Sequence, residues 1–257
     1  MTDTTSTSAA TSGASFIAAE GGDGSASAAS YLERRAWIGE YFDRTASAAW
    51  KVLTSDAPVS RIRATVRAGR DTMRHTLLAS LPSSLNGARV LDAGCGTGVL
   101  AMDLARRGAS VLAIDLSPTL VDHAREKAEA EGLSIDFRSG DMLDPALGMF
   151  DYVIAMDSLI HYEMREILAA LSQLAPRVST QMAITVAPRT PVLATLMAVG
   201  RLFPRKDRAP AIVPVSESAL RRGFATTPAL ARWPLTGTTR VERGFYRSQA
   251  YVLQHQG

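Results

Sequence analysis

The segment Val90-Leu91-Asp92-Ala93-Gly94-Cys95-Gly96-Thr97-Gly98 limits what this chain can fold into more than any other. A short apolar run, Arg89 to Ala93, leads into it, and a helical pattern from Gly98 to Arg107 leads out. Glycines at alternate positions let the backbone turn sharply and bring a ligand against the main chain at a helix N-terminus. Nicotinamide and flavin enzymes use similar turns, so the glycines alone name no ligand. Asp92 narrows the choice. A carboxylate beside the turn accepts hydrogen bonds from an ammonium group and repels a dinucleotide pyrophosphate.

Strand and helix patterns alternate beyond the turn. Ser110 to Asp115 reads as a second strand, followed by a helix that Ser117 caps and that ends near Gly132. Ile135 to Arg138 and Tyr152 to Met156 read as further strands. Met164, Ile167, Leu168, Leu171 and Leu174 then make one helical stripe, and Arg177 to Ala187 is a fifth strand. This alternation predicts an α/β fold: a doubly wound, mostly parallel sheet within residues 86–257, covered on both faces. The end of the chain, about Leu230 to Gln254, reads as an antiparallel strand pair turning near Gly244. Between the two parts, Pro191 to Phe203 reads as helical, Pro204 to Pro214 as a basic loop and Ser216 to Phe224 as a short helix. Residues 188–224 are therefore expected to be a lid-like insertion.

Upstream, residues 31–85 are expected to form a helical arm. One helix spans Tyr31 to Leu53, and a second runs from Pro58, placed at a first helical position, to Ala79. The second aligns Val59, Ile62, Val66, Met73 and Leu77 on one face, with Arg63, Arg67, Arg70 and Arg74 on an adjoining one. Residues 1–30 are mostly Ser, Thr, Ala and Gly, and are expected to be a disordered tail.

Composition sets further bounds. The net charge of +3 is spread through the sequence, unlike the concentrated basic stripe of a nucleic-acid binder. Lysine occurs only at Lys51, Lys127 and Lys206, so the positive charge is carried by arginine, which pairs well with carboxylates and phosphates. One cysteine, Cys95, excludes an internal disulfide and fits a reducing cytoplasm. No apolar run reaches the ~20 residues needed to span a bilayer, and no secretory signal is seen. His75, His123, His161 and His255 are scattered, so no protein-bound metal is expected.

Four acidic residues fall at the carboxyl ends of successive strands, the crevice where open α/β sheets bind ligands: Asp92, Asp115, Asp141 and Asp157. Asp115 sits where such folds use a carboxylate for ribose hydroxyls. Asp141 can meet an adenine amino group, with Met142 packing on the ring. Together with Gly94, Cys95, Gly96, Leu116 and Met156, these residues resemble the cofactor row of the class I S-adenosylmethionine methyltransferases over about residues 86–187. The resemblance implies S-adenosylmethionine as cofactor and S-adenosylhomocysteine as product. Cys95 lies inside the tight turn and reads as a packing residue rather than a nucleophile.

A second, more specific resemblance runs from about Glu40 to Leu253. It is carried by Glu40-Tyr41-Phe42-Asp43, by Ser60 to Arg70, by Met156-Asp157-Ser158-Leu159-Ile160-His161-Tyr162, by Phe203-Pro204-Arg205 and by Gly244 to Gln249. These segments look like the magnesium-protoporphyrin IX O-methyltransferases of bacteriochlorophyll synthesis. That likeness implies methyl transfer to one propionate of the metalloporphyrin. An ionised propionate is already a nucleophile, so the site has to align and desolvate it rather than deprotonate it. His161, past the fourth strand, is the candidate for holding the carboxylate in line, and Tyr41 for closing over the methyl. Arg63, Arg67, Arg70 and Arg205 are candidates for the substrate's carboxylates. The arginine face, or the apolar and basic stretch 191–208, equally fits an anionic membrane surface or plain solvent.

The resemblance further implies handover from the magnesium chelatase large subunit, and a cytoplasmic protein with a peripheral contact to the photosynthetic membrane. A nucleic-acid substrate is not expected, because Asp157-Ser158-Leu159-Ile160 stands where base-amino methylases keep an Asn/Asp-Pro-Pro-aromatic segment. Two alternatives stay open on the residues alone. One is a methyltransferase of another small apolar acceptor such as a quinone precursor. The other is a non-catalytic cofactor-binding module.

Overall fold

The computed structural model describes residues 24–55, 58–189 and 211–256. Its centre is one seven-stranded sheet ordered β3-β2-β1-β4-β5-β7-β6. The strands are β1 (Arg89–Ala93), β2 (Ser110–Asp115), β3 (Asp136–Ser139), β4 (Phe150–Ala155), β5 (Val178–Val186), β6 (Leu235–Arg243) and β7 (Tyr246–Gln254). β1 to β5 are parallel. β7 runs antiparallel to β5 and to β6. This is the doubly wound fold with an antiparallel terminal pair, and the order reverses between β1 and β4, the switch point where such sheets bind ligands.

The sheet is buried on both faces, as a parallel sheet must be. Neighbouring residues on one strand feed opposite cores: Leu91 and Val153 pack with Ile167 and Leu171, whereas Val90 and Ile154 pack with Met73, Leu77 and Leu104. The covering helices follow local rules. α4 (Val99–Arg106) starts from Gly98 in a left-handed conformation. α5 (Pro118–Ala130) is capped by Ser117, whose hydroxyl accepts from the Leu120 N–H. α6 (Met164–Leu174) carries a capping box between Glu163 and Glu166. α7 (Glu217–Thr226) follows the stretch 190–210, which is outside the described residues; that stretch holds the expected helix at Pro191 to Phe203 and Arg205.

The arm differs from expectation in three places. α1 (Gly24–Tyr41) begins inside the segment expected to be a disordered tail. It does not run straight through to Leu53: a π-helical turn, Phe42–Ala46, separates it from α2 (Ser47–Leu53). α3 (Arg61–Ala79) starts after Ser60, whose side chain accepts from the Arg63 N–H, so the capping serine rather than Pro58 sets its first turn.

Side chains lash the arm across the carboxyl edge of the sheet. Arg34 pairs with Glu163 and with the fully buried Glu166. Tyr31 stacks on Tyr162 with ring centres 5.3 Å apart. Asp43 accepts from the Ser117 hydroxyl and the Thr119 N–H at the start of α5. On the other side α3 lies against β7 so closely that a Cβ on Gly69 would stand 2.5 Å from the Tyr246 ring.

Candidate active site

One cavity of about 660 Å³ opens at the carboxyl ends of β1, β2 and β4, beneath the arm. Asp92, Gly94, Cys95, Gly96, Asp115, Leu116, Asp141, Met142, Met156, Asp157, His161 and Tyr41 all line it, as do Arg63, Arg67 and Arg70. The topology thus gathers into one space residues that the sequence spreads over more than a hundred positions.

The floor is the glycine turn. The N–H groups of Gly94 and Cys95 donate to the Ile114 carbonyl, and the Gly96 N–H donates to Asp115 Oδ2 at 2.8 Å. Gly96 has φ +53, and a Cβ there would meet Trp50 Nε1 at 3.0 Å, so a side chain would fill the space beneath the arm. The ring of Trp50 in turn lies under Arg70, whose guanidinium carbon is 4.5 Å from the ring centre.

The four acids behave differently from one another. Asp92 is 1% exposed and its Oδ2 has no hydrogen-bond partner among the described residues. Burial, then the charge of Asp115, pushes its carboxyl up to about 7. An unsatisfied buried carboxylate oxygen facing a cavity is a receptor for a cation, such as the ammonium of a bound amino acid. Asp115 accepts from Gly96 and Ser117 N–H groups, which fix its orientation, while burial raises its pKa. Asp141 accepts from the Tyr31 hydroxyl and the Leu143 N–H at 3.0 Å and pairs with Arg35, so the arm reaches the carboxylate expected to meet adenine.

Asp157 is the one whose surroundings depart most from the sequence reading. Its carboxylate receives Arg70 Nη1 at 2.6 Å, the Tyr246 hydroxyl at 3.1 Å, the Ser248 hydroxyl at 3.2 Å and the Thr185 hydroxyl at 3.1 Å. Its φ is +56, an uncommon value for an aspartate. Expected as a cofactor contact, it lines the cavity and also ties the arm, β5 and β7 together. Arg70, expected to meet substrate, lines the same cavity and pairs with Asp157.

His161 closes a short 3-10 turn after β4 and is 7% exposed, with Nδ1 3.3 Å from the Ala211 carbonyl oxygen. The Phe42 ring lies 5.9 Å from it and 5.5 Å from Tyr41. Burial raises the Tyr41 pKa. Cys95 is buried, and burial, then the charges of Asp115 and Asp92, push its thiol well up, disfavouring the thiolate. Among the described residues no group of three or more His, Cys, Asp or Glu is arranged to hold a metal ion. Trp50 and Phe42 also line the cavity, and Asp43 and Tyr246 support it through Ser117, Thr119 and Asp157, none of them having been a candidate site residue. The segments 40–43 and 244–249 were the signal for Phe42, Asp43 and Tyr246; Trp50 had none.

Comparison with known proteins agrees with this geometry. The family model described as magnesium-protoporphyrin IX methyltransferase C-terminus matches residues 155–255, and a general methyltransferase domain matches residues 90–180. The magnesium-protoporphyrin O-methyltransferase of Rhodobacter capsulatus is 46% identical, over 85% of this chain and 96% of its own length. The crystal structure of magnesium protoporphyrin IX methyltransferase from Synechocystis PCC 6803 with bound SAH superposes with a TM-score of 0.73 at 27% identity, covering 86% of this chain and all of that one. By contrast, a ubiquinone biosynthesis O-methyltransferase from Methylocella silvestris is 41% identical over only 47% of this chain and 51% of its own length. The likeness to the porphyrin enzymes thus includes arm, sheet and terminal hairpin, and the chain belongs to the magnesium-protoporphyrin O-methyltransferase family.

Proposed function

We propose that this chain transfers the methyl group of S-adenosylmethionine to a propionate carboxylate of magnesium-protoporphyrin IX, giving the monomethyl ester and S-adenosylhomocysteine. The observation that carries the reading is full-length likeness to the Rhodobacter enzyme over a cavity whose floor offers an unpartnered carboxylate to an amino-acid ammonium. Bound S-adenosylmethionine supplies a methyl carbon made electrophilic by the positive sulfur.

The chain's own residues have to bind, orient and dry. Asp92 receives the ammonium, Asp115 the ribose hydroxyls, and Leu116, Met142 and Met156 supply apolar walls. Asp141, already held by Tyr31 and Arg35, couples the adenine end to the arm. His161 aligns the attacking carboxylate oxygen, and Tyr41, beside Phe42 on the arm, excludes water above it. A carboxylate needs no base, so positioning supplies the acceleration, on the order of 7–11 kcal/mol for well-aligned reactants. The macrocycle carries its own magnesium, which is substrate rather than a protein ligand set.

Two finer points belong to the same reading. Direct handover from the magnesium chelatase large subunit would spare a poorly soluble product from water. A peripheral contact with the photosynthetic membrane would involve the exposed arginines of α3; no helix among the described residues is long and apolar enough to cross a membrane. The test is incubation with methyl-labelled S-adenosylmethionine and magnesium-protoporphyrin IX, beside metal-free protoporphyrin and a phenolic quinone precursor. Base-labile label in the magnesium porphyrin supports the assignment. Label only in the quinone precursor would overturn it.

A further inference from the structure

Four arginines of α3 line the cavity: Arg63, Arg67, Arg70 and Arg74. Three are engaged by the protein. Arg70 pairs with Asp157 at 2.6 Å. Arg74 pairs with Asp71 at 2.6 Å and Asp103 at 2.9 Å. Arg67 donates to the carbonyls of Leu53 and Val52, both at 2.9 Å. Arg63 differs. It is exposed in the first turn of the helix, and among the described residues its guanidinium meets no carboxylate or carbonyl, while its backbone N–H is used by the Ser60 cap.

Building on the proposed function, we infer that Arg63 is the seat of the propionate that is not methylated, and so determines that the substrate enters as a dicarboxylate. The chemistry of the two carboxylates is unequal. The reacting one loses its negative charge as the oxygen–carbon bond forms and the carbon–sulfur bond breaks. A cation paired with it would stabilise the ground state more than the transition state and slow transfer. The other keeps its charge throughout and loses water as the macrocycle enters, a cost that a partner cation offsets.

The charges along α3 match that division. At the end of β4, the α3 cation Arg70 pairs with Asp157, which neutralises it. Arg63 stands about two helical turns away, roughly 10 Å along the axis at 1.5 Å per residue, with its fork unspent. A guanidinium can grip a carboxylate with two parallel hydrogen bonds, which sets direction as well as affinity.

The experiment compares wild type, Arg63→Gln and Arg63→Lys, each saturated with S-adenosylhomocysteine, binding magnesium-protoporphyrin IX and its dimethyl ester by tryptophan quenching. Arg63→Gln is expected to weaken the diacid about tenfold or more, the scale of a charge-assisted bond, and to leave the dimethyl ester within about twofold. Arg63→Lys recovers part of the loss. In turnover, KM for the diacid rises while kcat stays within about threefold, because the contact is equal in ground and transition states. Among the described residues Arg63 has no tertiary partner to lose, and unchanged S-adenosylhomocysteine affinity verifies that the variants fold. Equal loss for diacid and diester, or loss for neither, overturns the assignment of Arg63 alone. A wild-type chain that binds neither porphyrin overturns the parent function, and this inference with it.

Discussion

Protonation of Asp92 should govern cofactor affinity across the neutral range. The carboxyl is 1% exposed, has an oxygen without a partner and lies near Asp115, and these surroundings raise its pKa to about 7. An ammonium beside it favours the ionised form, so binding must expel the proton from any molecule that carries one. Above pH 8 nearly all sites are ionised and affinity is flat. Below pH 7 the apparent Kd rises about tenfold per pH unit, giving a loss of about 30-fold at pH 5.5. Titration calorimetry of S-adenosylhomocysteine in buffers of different ionisation enthalpy reads both quantities. Close to one proton should leave per ligand bound at pH 6, and almost none at pH 8.5.

The sign for the ligand-free protein is opposite to that of an ordinary surface carboxylate. Because the folded pKa is raised, the stability Asp92 contributes is full below the ordinary carboxylate range and is lost as pH climbs toward 7. Bound cofactor restores it. Asp92→Asn should bind weakly at every pH, with no proton release. Affinity that stays within twofold from pH 5.5 to 8, or an Asp92→Asn variant with the wild-type pH profile, would refute the assignment of the ammonium to this carboxylate.

Other substitutions separate the parts of the site. His161→Ala should lower the methyl-transfer rate well beyond twofold while S-adenosylhomocysteine binding is retained; a rate within about twofold would remove its aligning role. Gly69→Ala puts a Cβ 2.5 Å from the Tyr246 ring, an overpacking that should cost about 1–3 kcal/mol and lower Tm by several degrees. Asp43→Ala removes the bonds to Ser117 and Thr119, so protease should cut the arm faster while the sheet's unfolding temperature barely moves. Hydrogen bonds from Thr119 also hold Asp43 below the usual carboxylate range, so the same loosening should appear in wild type as pH falls through that lowered pKa.

Sequence and structure agree best where interactions are local or periodic. Gly98, Ser117 and Gly132 mark helix ends through their own backbone chemistry, and β1, β2, β4 and β5 each carry a readable apolar run, whereas β3 and β6 are largely polar. The row from Asp92 to Asp157 was legible because parallel strands all end at one edge. What those carboxylates bond to was not. Tyr246 and Ser248 reach Asp157 from about ninety residues away, and Tyr31 reaches Asp141 from 110 away, at distances no periodicity encodes. The start of α3 was misplaced for a smaller reason: Pro58 and Ser60 both suit a helix N-terminus, and only the Ser60 side chain finds an N–H to cap.

The bonds around Asp157 also join parts of the chain that lie far apart in sequence. α3 lies far upstream in sequence of the surface it docks on, the ring of Tyr246 and the edge of β7. The glycine turn and the strands from β1 to β5 can pair while the chain is still emerging, but Arg70 has its clamp only when β7 has closed against β5. A nascent chain can therefore fold a nucleotide-binding sheet before it has a roofed cavity. Long-range closure of this kind is slow. Pairing of β7 with β5 thus completes the clamp on Arg70, joining a helix that precedes the sheet to a strand that follows it.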